Sequence, residues 1–210
     1  MKSLATPTRL RRRGKGDGTC AIDLTPNASL SHVSQMCGVT YGQRIKRHND
    51  LMASLKRGLV AAGWKCQIEP RIPSGTTFQK PDIVARKGNS VVVLDPAITG
   101  DSVAYLRDVG AKKVAKYSNQ EVRDYCNKLQ ETDGKIVSDF KVIGVPVTYR
   151  GDMLTSTSTE LKSLGIRKGF ISYLSFCVVL ETWHVWRMYY SNSRAGGNTT
   201  RRWRRRLAAP

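Results

Sequence analysis

At 210 residues and 40% hydrophobic content, the chain can bury the core of one ordinary domain with small appendages, which excludes wholesale disorder. Its 35 Lys and Arg against 16 Asp and Glu give a net charge of +19 and a pI near 10.1. Such an excess points to a polyanion partner, most often nucleic acid. Setting aside two basic runs, Arg9–Lys15 and Arg201–Arg206, leaves 25 basic residues against 16 acidic ones, so the charge is not confined to tails. Five scattered cysteines and no apolar leader argue against a disulfide framework and for a reducing, intracellular setting.

In chain order, residues 1–19 are basic, Gly-rich and without periodicity, the signature of a mobile segment. Residues 20–40 hold Cys20, His32 and Cys37. In "RIKRHNDLMASLKRGLVAAGW", Ile45, Leu51, Met52, Leu55, Leu59 and Val60 recur at helical spacing, and Gly63 is the expected stop. "KCQIEPRI" reads as a strand. "PDIVAR", the turn "KGNS" (Lys87 to Ser90) and "VVVLD" read as a hairpin ended by Pro96. "SVAYLRDVGAKKVAKYSNQEVRDYCNKLQE" is one long, mostly helical stretch. Phe140 to Tyr149 is a further strand, and "STSTELKSLGI" a helix capped by Ser or Thr. The apolar stretch Phe170 to Tyr190 is interrupted by Glu181, His184 and Arg187, so it reads as a buried or amphipathic helix rather than a membrane span. The predicted fold class is α/β, a small sheet flanked by helices.

The hairpin brings Asp82, at the start of one strand, beside Asp95, at the end of the next. Neighbouring carboxylates repel and persist where a cation lies between them; Mg²⁺ takes such oxygens and serves phosphate chemistry. A turn-forming or capping role for each Asp is the alternative.

The ordered set Lys80-Pro81-Asp82, twelve residues, then Asp95, together with "LSHVSQMC", "GQRIKRHNDL", "KKVAKY" and "LETWHVW", resembles a known family. It is similar to the restriction-like endonuclease, of the PD-(D/E)XK superfamily, at the C-terminus of site-specific non-LTR retrotransposon proteins that insert into ribosomal DNA. The resemblance implies a restriction-endonuclease-like core with a mixed sheet at 41–190, a zinc-knuckle remnant at 20–40 and a basic tail at 191–210. It implies that Asp82 and Asp95 bind Mg²⁺ or Mn²⁺. The superfamily's usual lysine position is Ala97 here, so Lys113 or Lys116, one turn apart, would assist the attacking water. Tyr117 would pack beside the site. Glu69 would be an upstream ligand or orienter, or else a strand-edge partner of Arg71. Lys80 and an exposed Arg47–His48 pair would meet phosphates. Cys20, His32 and Cys37 would hold Zn²⁺, with Asp17 as substitute for a ligand expected a few residues before Cys20; a decayed knuckle is the alternative.

The expected function is a nuclear, metal-dependent DNA endonuclease, a C-terminal fragment or truncated copy. It would nick target DNA so that the element's reverse transcriptase can prime from the freed 3′-OH. DNA, the reverse transcriptase region and the element's RNA are the expected partners, with no membrane association. The alternatives are a catalytically dead nucleic-acid-binding remnant and a basic RNA-binding protein of ribosomal type, which explains the charge but not the ordered motifs.

Overall fold

The computed structural model describes residues 18–131 and 137–207, with side chains over 18–129 and 137–193. The expected mobile segment is thus almost wholly outside the described residues, as are the side chains of the Arg201–Arg206 run. The chain divides into two compact units: residues 48–179, and residues 1–47 together with 180–210.

The 48–179 unit is built on a mixed four-stranded sheet of order β1-β4-β5-β6. The strands are β1 (Lys65–Ile68), β4 (Ile83–Lys87), β5 (Ser90–Thr99) and β6 (Asp139–Thr148); β2 (Ile72–Ser74) and β3 (Thr77–Gln79) form a separate hairpin. β4 runs antiparallel to β1 and β5, whereas β5 and β6 are parallel. The predicted hairpin closes at its turn, with Lys87 opposite Ser90 and Gly88 at φ +56°, where a side chain is disfavoured. The helices are α1 (Leu30–Gln35), α2 (Tyr41–Ala61), α3 (Val103–Tyr117), α4 (Gln120–Glu131), α5 (Thr155–Ser163) and α6 (Lys168–Leu207), and the unit boundaries fall within α2 and α6.

Strand alternation assigns the two faces of the sheet. Ile83, Ala85, Val92, Leu94, Ile143, Val145 and Val147 enter one apolar cluster with Leu51, Leu55 and Leu59 of α2, Leu161 of α5, and Ile171 and Leu174 of α6. Val84, Val91, Val93 and Val142 enter the other, with Tyr117 of α3 and Val122 and Cys126 of α4. The sheet is therefore covered on both faces. Each buried Leu or Val contributes on the order of 1.5–3 kcal/mol, so these clusters hold the unit together.

Three boundaries and one burial pattern differ from expectation. β5 continues through Pro96 to Thr99. Beyond Leu94 it has β6 alone as a neighbour, because β4 begins at Ile83, and a one-sided strand tolerates a proline. The long helical stretch breaks at Ser118–Asn119, where the Asn119 side chain accepts from the Val122 N–H and starts α4. The residue before α5 is Leu154, which supplies no side-chain cap. On α2, Leu51, Leu55 and Leu59 are buried, whereas Ile45 and Val60 are exposed. Gly63, at φ +87°, follows α2 as expected. No described helix is long and apolar enough to cross a membrane.

α3 lies hard against β6. A Cβ on Gly144 would stand 2.6 Å from the Gly110 carbonyl oxygen and 3.1 Å from Lys113 Cβ. Gly144→Ala is accordingly expected to lower stability by at least the roughly 1–3 kcal/mol typical of overpacking, since the obstacle is helix backbone and cannot rotate away. Urea denaturation checks this, and a loss below about 0.5 kcal/mol, the range of an ordinary surface change, would refute the close approach.

Candidate functional site

By strand parity, Asp82 shares the face of Val84 and Asp95 that of Val91 and Val93. Both carboxylates thus belong to the face covered by α3 and α4. The pairing of Ile83 with Leu94 sets the residues just outside that pair, Asp82 and Asp95, side by side. Their carboxyls interact directly. Asp95 is only 2% exposed.

Two basic side chains answer this buried charge. Lys113 Nζ on α3 donates to Asp95 Oδ1 at 2.7 Å and remains 29% exposed. His48 Nε2 on α2 lies 3.3 Å from Asp82 Oδ2. That contact is an ion contact rather than an aligned hydrogen bond, so Asp82 Oδ2 is buried without a hydrogen-bond donor. Burial pushes the Asp95 carboxyl above its usual range and Asp82 pushes it further, against the opposing pull of Lys113. Burial is the largest influence on Asp82 and acts to raise it, but His48, Asp95 and Lys113 together outweigh it, and the Asp82 carboxyl is lowered. Two carboxylates, one with an oxygen lacking a donor, form the oxygen set that suits a hard divalent cation.

Tyr117, buried at the end of α3, donates to the Lys80 carbonyl at 2.9 Å and fixes the approach to Pro81-Asp82. Burial and the two nearby carboxylates raise its phenol well above the ordinary value. Asn119 donates to Gln79 Oε1 at 3.0 Å and ties β3 to the start of α4.

Of the sequence-predicted residues, Asp82, Asp95, Lys113, Tyr117 and His48 converge. Lys116 does not join Asp95; its Nζ lies over the Tyr117 ring, 4.7 Å from the centroid. Glu69 instead accepts from Lys80 Nζ at 2.7 Å, with both side chains more than two-fifths exposed. Glu69 has φ +48°, and its N–H donates to the Asp82 carbonyl at 2.9 Å, so its backbone rather than its carboxylate braces Asp82.

The expectation of an exposed Arg47 is corrected. Arg47 is 2% exposed, and its guanidinium donates to the Ser34 carbonyl and to Thr182 Oγ1, both at 2.8 Å. In that same unit Glu181 accepts from Gln43 at 2.9 Å and lies 3.3 Å from Lys46 and from His184.

Near the N-terminus, Cys20, Asp23, His32 and Cys37 bring their ligand-type atoms within 4.8 Å of one another. Asp23 was missed in the sequence; the signal was its position three residues after Cys20, a spacing common among metal ligands. Asp17 lies outside the described residues.

No protein-family model matches the chain. It is 28% identical over 175 residues to the Retrovirus-related Pol polyprotein from type-2 retrotransposable element R2DM of Drosophila melanogaster, covering 83% of this chain and 16% of the polyprotein. It is 28% identical over 183 residues to the Retrovirus-related Pol polyprotein from type-1 retrotransposable element R2 of Nasonia vitripennis, covering 84% and 17%. A Pol polyprotein from the type-1 element R2 of Popillia japonica is 33% identical over 106 residues, covering 50% of this chain and 22% of that protein. The chain thus spans about a sixth of the length of the first two relatives. These similarities support a retrotransposon-derived protein.

The His48–Asp82 contact predicts a pH signature. The His48 imidazole is raised above its ordinary 6.5, chiefly by Asp82. Its contribution to stability is therefore complete below about pH 6.5 and is lost as pH rises through the higher folded value. In EDTA, the urea midpoint of the wild type should fall between pH 6 and 8.5 relative to that of His48→Ala. Parallel pH curves for the two proteins would rule the contact out.

Proposed function

We propose that the 48–179 unit is a metal-dependent DNA endonuclease with a restriction-endonuclease-like core, hydrolysing a phosphodiester in one strand of target DNA. The observation that carries this reading is the meeting of Asp82, Asp95 and Lys113 at the end of a buried hairpin in a strongly basic chain. A structural salt bridge needs one carboxylate. A second carboxylate buried against the first costs stability and calls for a chemical reason.

Asp82 and Asp95 would hold Mg²⁺ or Mn²⁺. When bound, the cation supplies Lewis-acid stabilisation of the charge that builds on the phosphoryl oxygens. The chain's own groups do the rest. Lys113 has three N–H donors, of which Asp95 takes one. The others can orient a water toward phosphorus and meet the developing negative charge. His48 keeps Asp82 ionised and in place. Tyr117 fixes the segment that delivers Asp82. Lys80 and Lys116, both exposed, suit phosphates flanking the cut. A single carboxylate pair cuts one strand per binding event and leaves a 3′-OH and a 5′-phosphate. That 3′-OH is the primer a Pol polyprotein with reverse transcriptase would extend, and such use implies a nuclear setting.

Nicking of supercoiled plasmid in Mg²⁺ or Mn²⁺ tests the reading. Asp82→Asn, Asp95→Asn and EDTA should each abolish it. Lys113→Met should slow it by about 10²–10⁴-fold, the span of general acid–base assistance, and Lys116→Met by far less. Salt-sensitive DNA binding with no nicking in either metal would replace this reading with that of a nucleic-acid-binding remnant.

A further inference from the structure

The N-terminal unit carries a second cluster of donors, chemically unlike the first. The Cys20 and Cys37 thiols are fully buried, with their sulfurs 3.9 Å apart. His32 is buried too, and its Nε2 has no hydrogen bond. That nitrogen lies 3.2 Å from Asp23 Oδ2. Zn–S bonds of about 2.3 Å at tetrahedral angles set sulfurs roughly 3.8 Å apart, and Zn–N and Zn–O bonds near 2.0–2.1 Å set N and O roughly 3.3 Å apart. Both observed separations match.

We propose that Asp23 is the fourth ligand of a closed Cys20–Asp23–His32–Cys37 zinc site. The ligand expected before Cys20 lies instead inside the loop that follows it. The order becomes Cys-x2-Asp-x8-His-x4-Cys, with Cys20 as the first ligand rather than the second.

The loop is built to aim Asp23. The Leu24 N–H donates to the Cys20 carbonyl at 3.1 Å, and the Cys20 N–H donates to the Thr25 carbonyl at 2.9 Å. The Thr25 N–H occupies Asp23 Oδ1 at 3.1 Å, which leaves Oδ2 for the cluster. Leu24 and Asn27 hold left-handed φ of 61° and 51°, a conformation asparagine tolerates and leucine seldom adopts. His32 follows from α1, which Ser29 caps by accepting from the His32 N–H. The Cys37 N–H donates to the His32 carbonyl at 2.9 Å, and Thr40 Oγ1 donates to the Cys37 carbonyl at 2.8 Å. Val33, Ala28 and Tyr189 close the apolar shell.

An Asp at this position makes the site weaker than one with three thiolates, because zinc prefers the softer sulfur. It remains a folding site: with four protein ligands, no position is left open for substrate. The proposal does not depend on nuclease activity.

The test uses the full chain, purified under reducing conditions. Zinc is counted by elemental analysis, its affinity measured by chelator competition, and the ligand set read from the visible spectrum of the Co²⁺ form. One zinc per chain is expected, with a tetrahedral two-thiolate Co²⁺ spectrum. Asp23→Ala should weaken zinc binding by more than the roughly 10–100-fold that loss of an outer-shell partner costs. Asp23→Cys should bind more tightly and add a third thiolate to the Co²⁺ charge-transfer band, a readout that survives even if Asp23→Ala fails to fold. Wild-type affinity in Asp23→Ala, an unchanged Co²⁺ spectrum in Asp23→Cys, or a Cys20–Cys37 disulfide in place of bound metal would each overturn the assignment.

Discussion

Two carboxylates forced together at the end of a buried hairpin are the constraint around which the 48–179 unit is arranged. Desolvation disfavours both charges and their mutual repulsion adds to it, so positive charge must be brought to them. It arrives from two helices: Lys113 from α3 reaches Asp95, and His48 from α2 reaches Asp82. The two carboxyls respond in opposite directions because their surroundings differ. Asp95 is nearly inaccessible to water, which raises its carboxyl, and Asp82 has the imidazole beside it, which helps to lower its own.

Delivering Lys113 is a steric problem before it is an electrostatic one. A lysine can reach several ångströms, but Asp95 lies within the β5–β6 ladder, opposite Gly144. Only a residue without a side chain there lets the α3 backbone come close enough. Gly110 answers it from the helix, where a Cβ would stand 3.3 Å from Pro146, two residues further along β6. The parallel pairing of β5 with β6 thus does more than extend the sheet: it supplies the gap that fixes which lysine meets the acid. Lys116, one turn on, points its charge at the Tyr117 ring.

Much of this unit was legible because its signals are local. The four-residue spacing of Leu51, Leu55 and Leu59, the Lys87–Ser90 turn and the apolar run Val91 to Leu94 each follow from a short stretch, and two Asp residues at the ends of such a hairpin must meet. The choice between Lys113 and Lys116 was not legible, since it depends on Gly144, some thirty residues away. Arg47 was misread for a related reason. A basic residue on an amphipathic helix looks exposed unless its buried partners, Ser34 and Thr182, are known, and one of them is 135 residues distant. Pro96 misled because proline ends a strand only where both sides need its N–H.

The chain sets aspartate in two different donor company, and the difference separates what each site can do. Asp82 and Asp95 are accompanied by a lysine and a histidine that supply charge, and by no sulfur. Two protein oxygens leave most of a hard cation's coordination positions open to water and phosphate, which is the condition for catalysis. Asp23 stands with two thiols and an imidazole, their ligand-type atoms within 4.8 Å of one another, a set that as proposed would fill every position of a tetrahedral ion and leave none for a reactant. Substituting one carboxylate into that set changes its softness but not its closure. On the two proposed readings the same side chain would serve reactivity in one place and folding in the other, and what would decide between them is the number and kind of its neighbours.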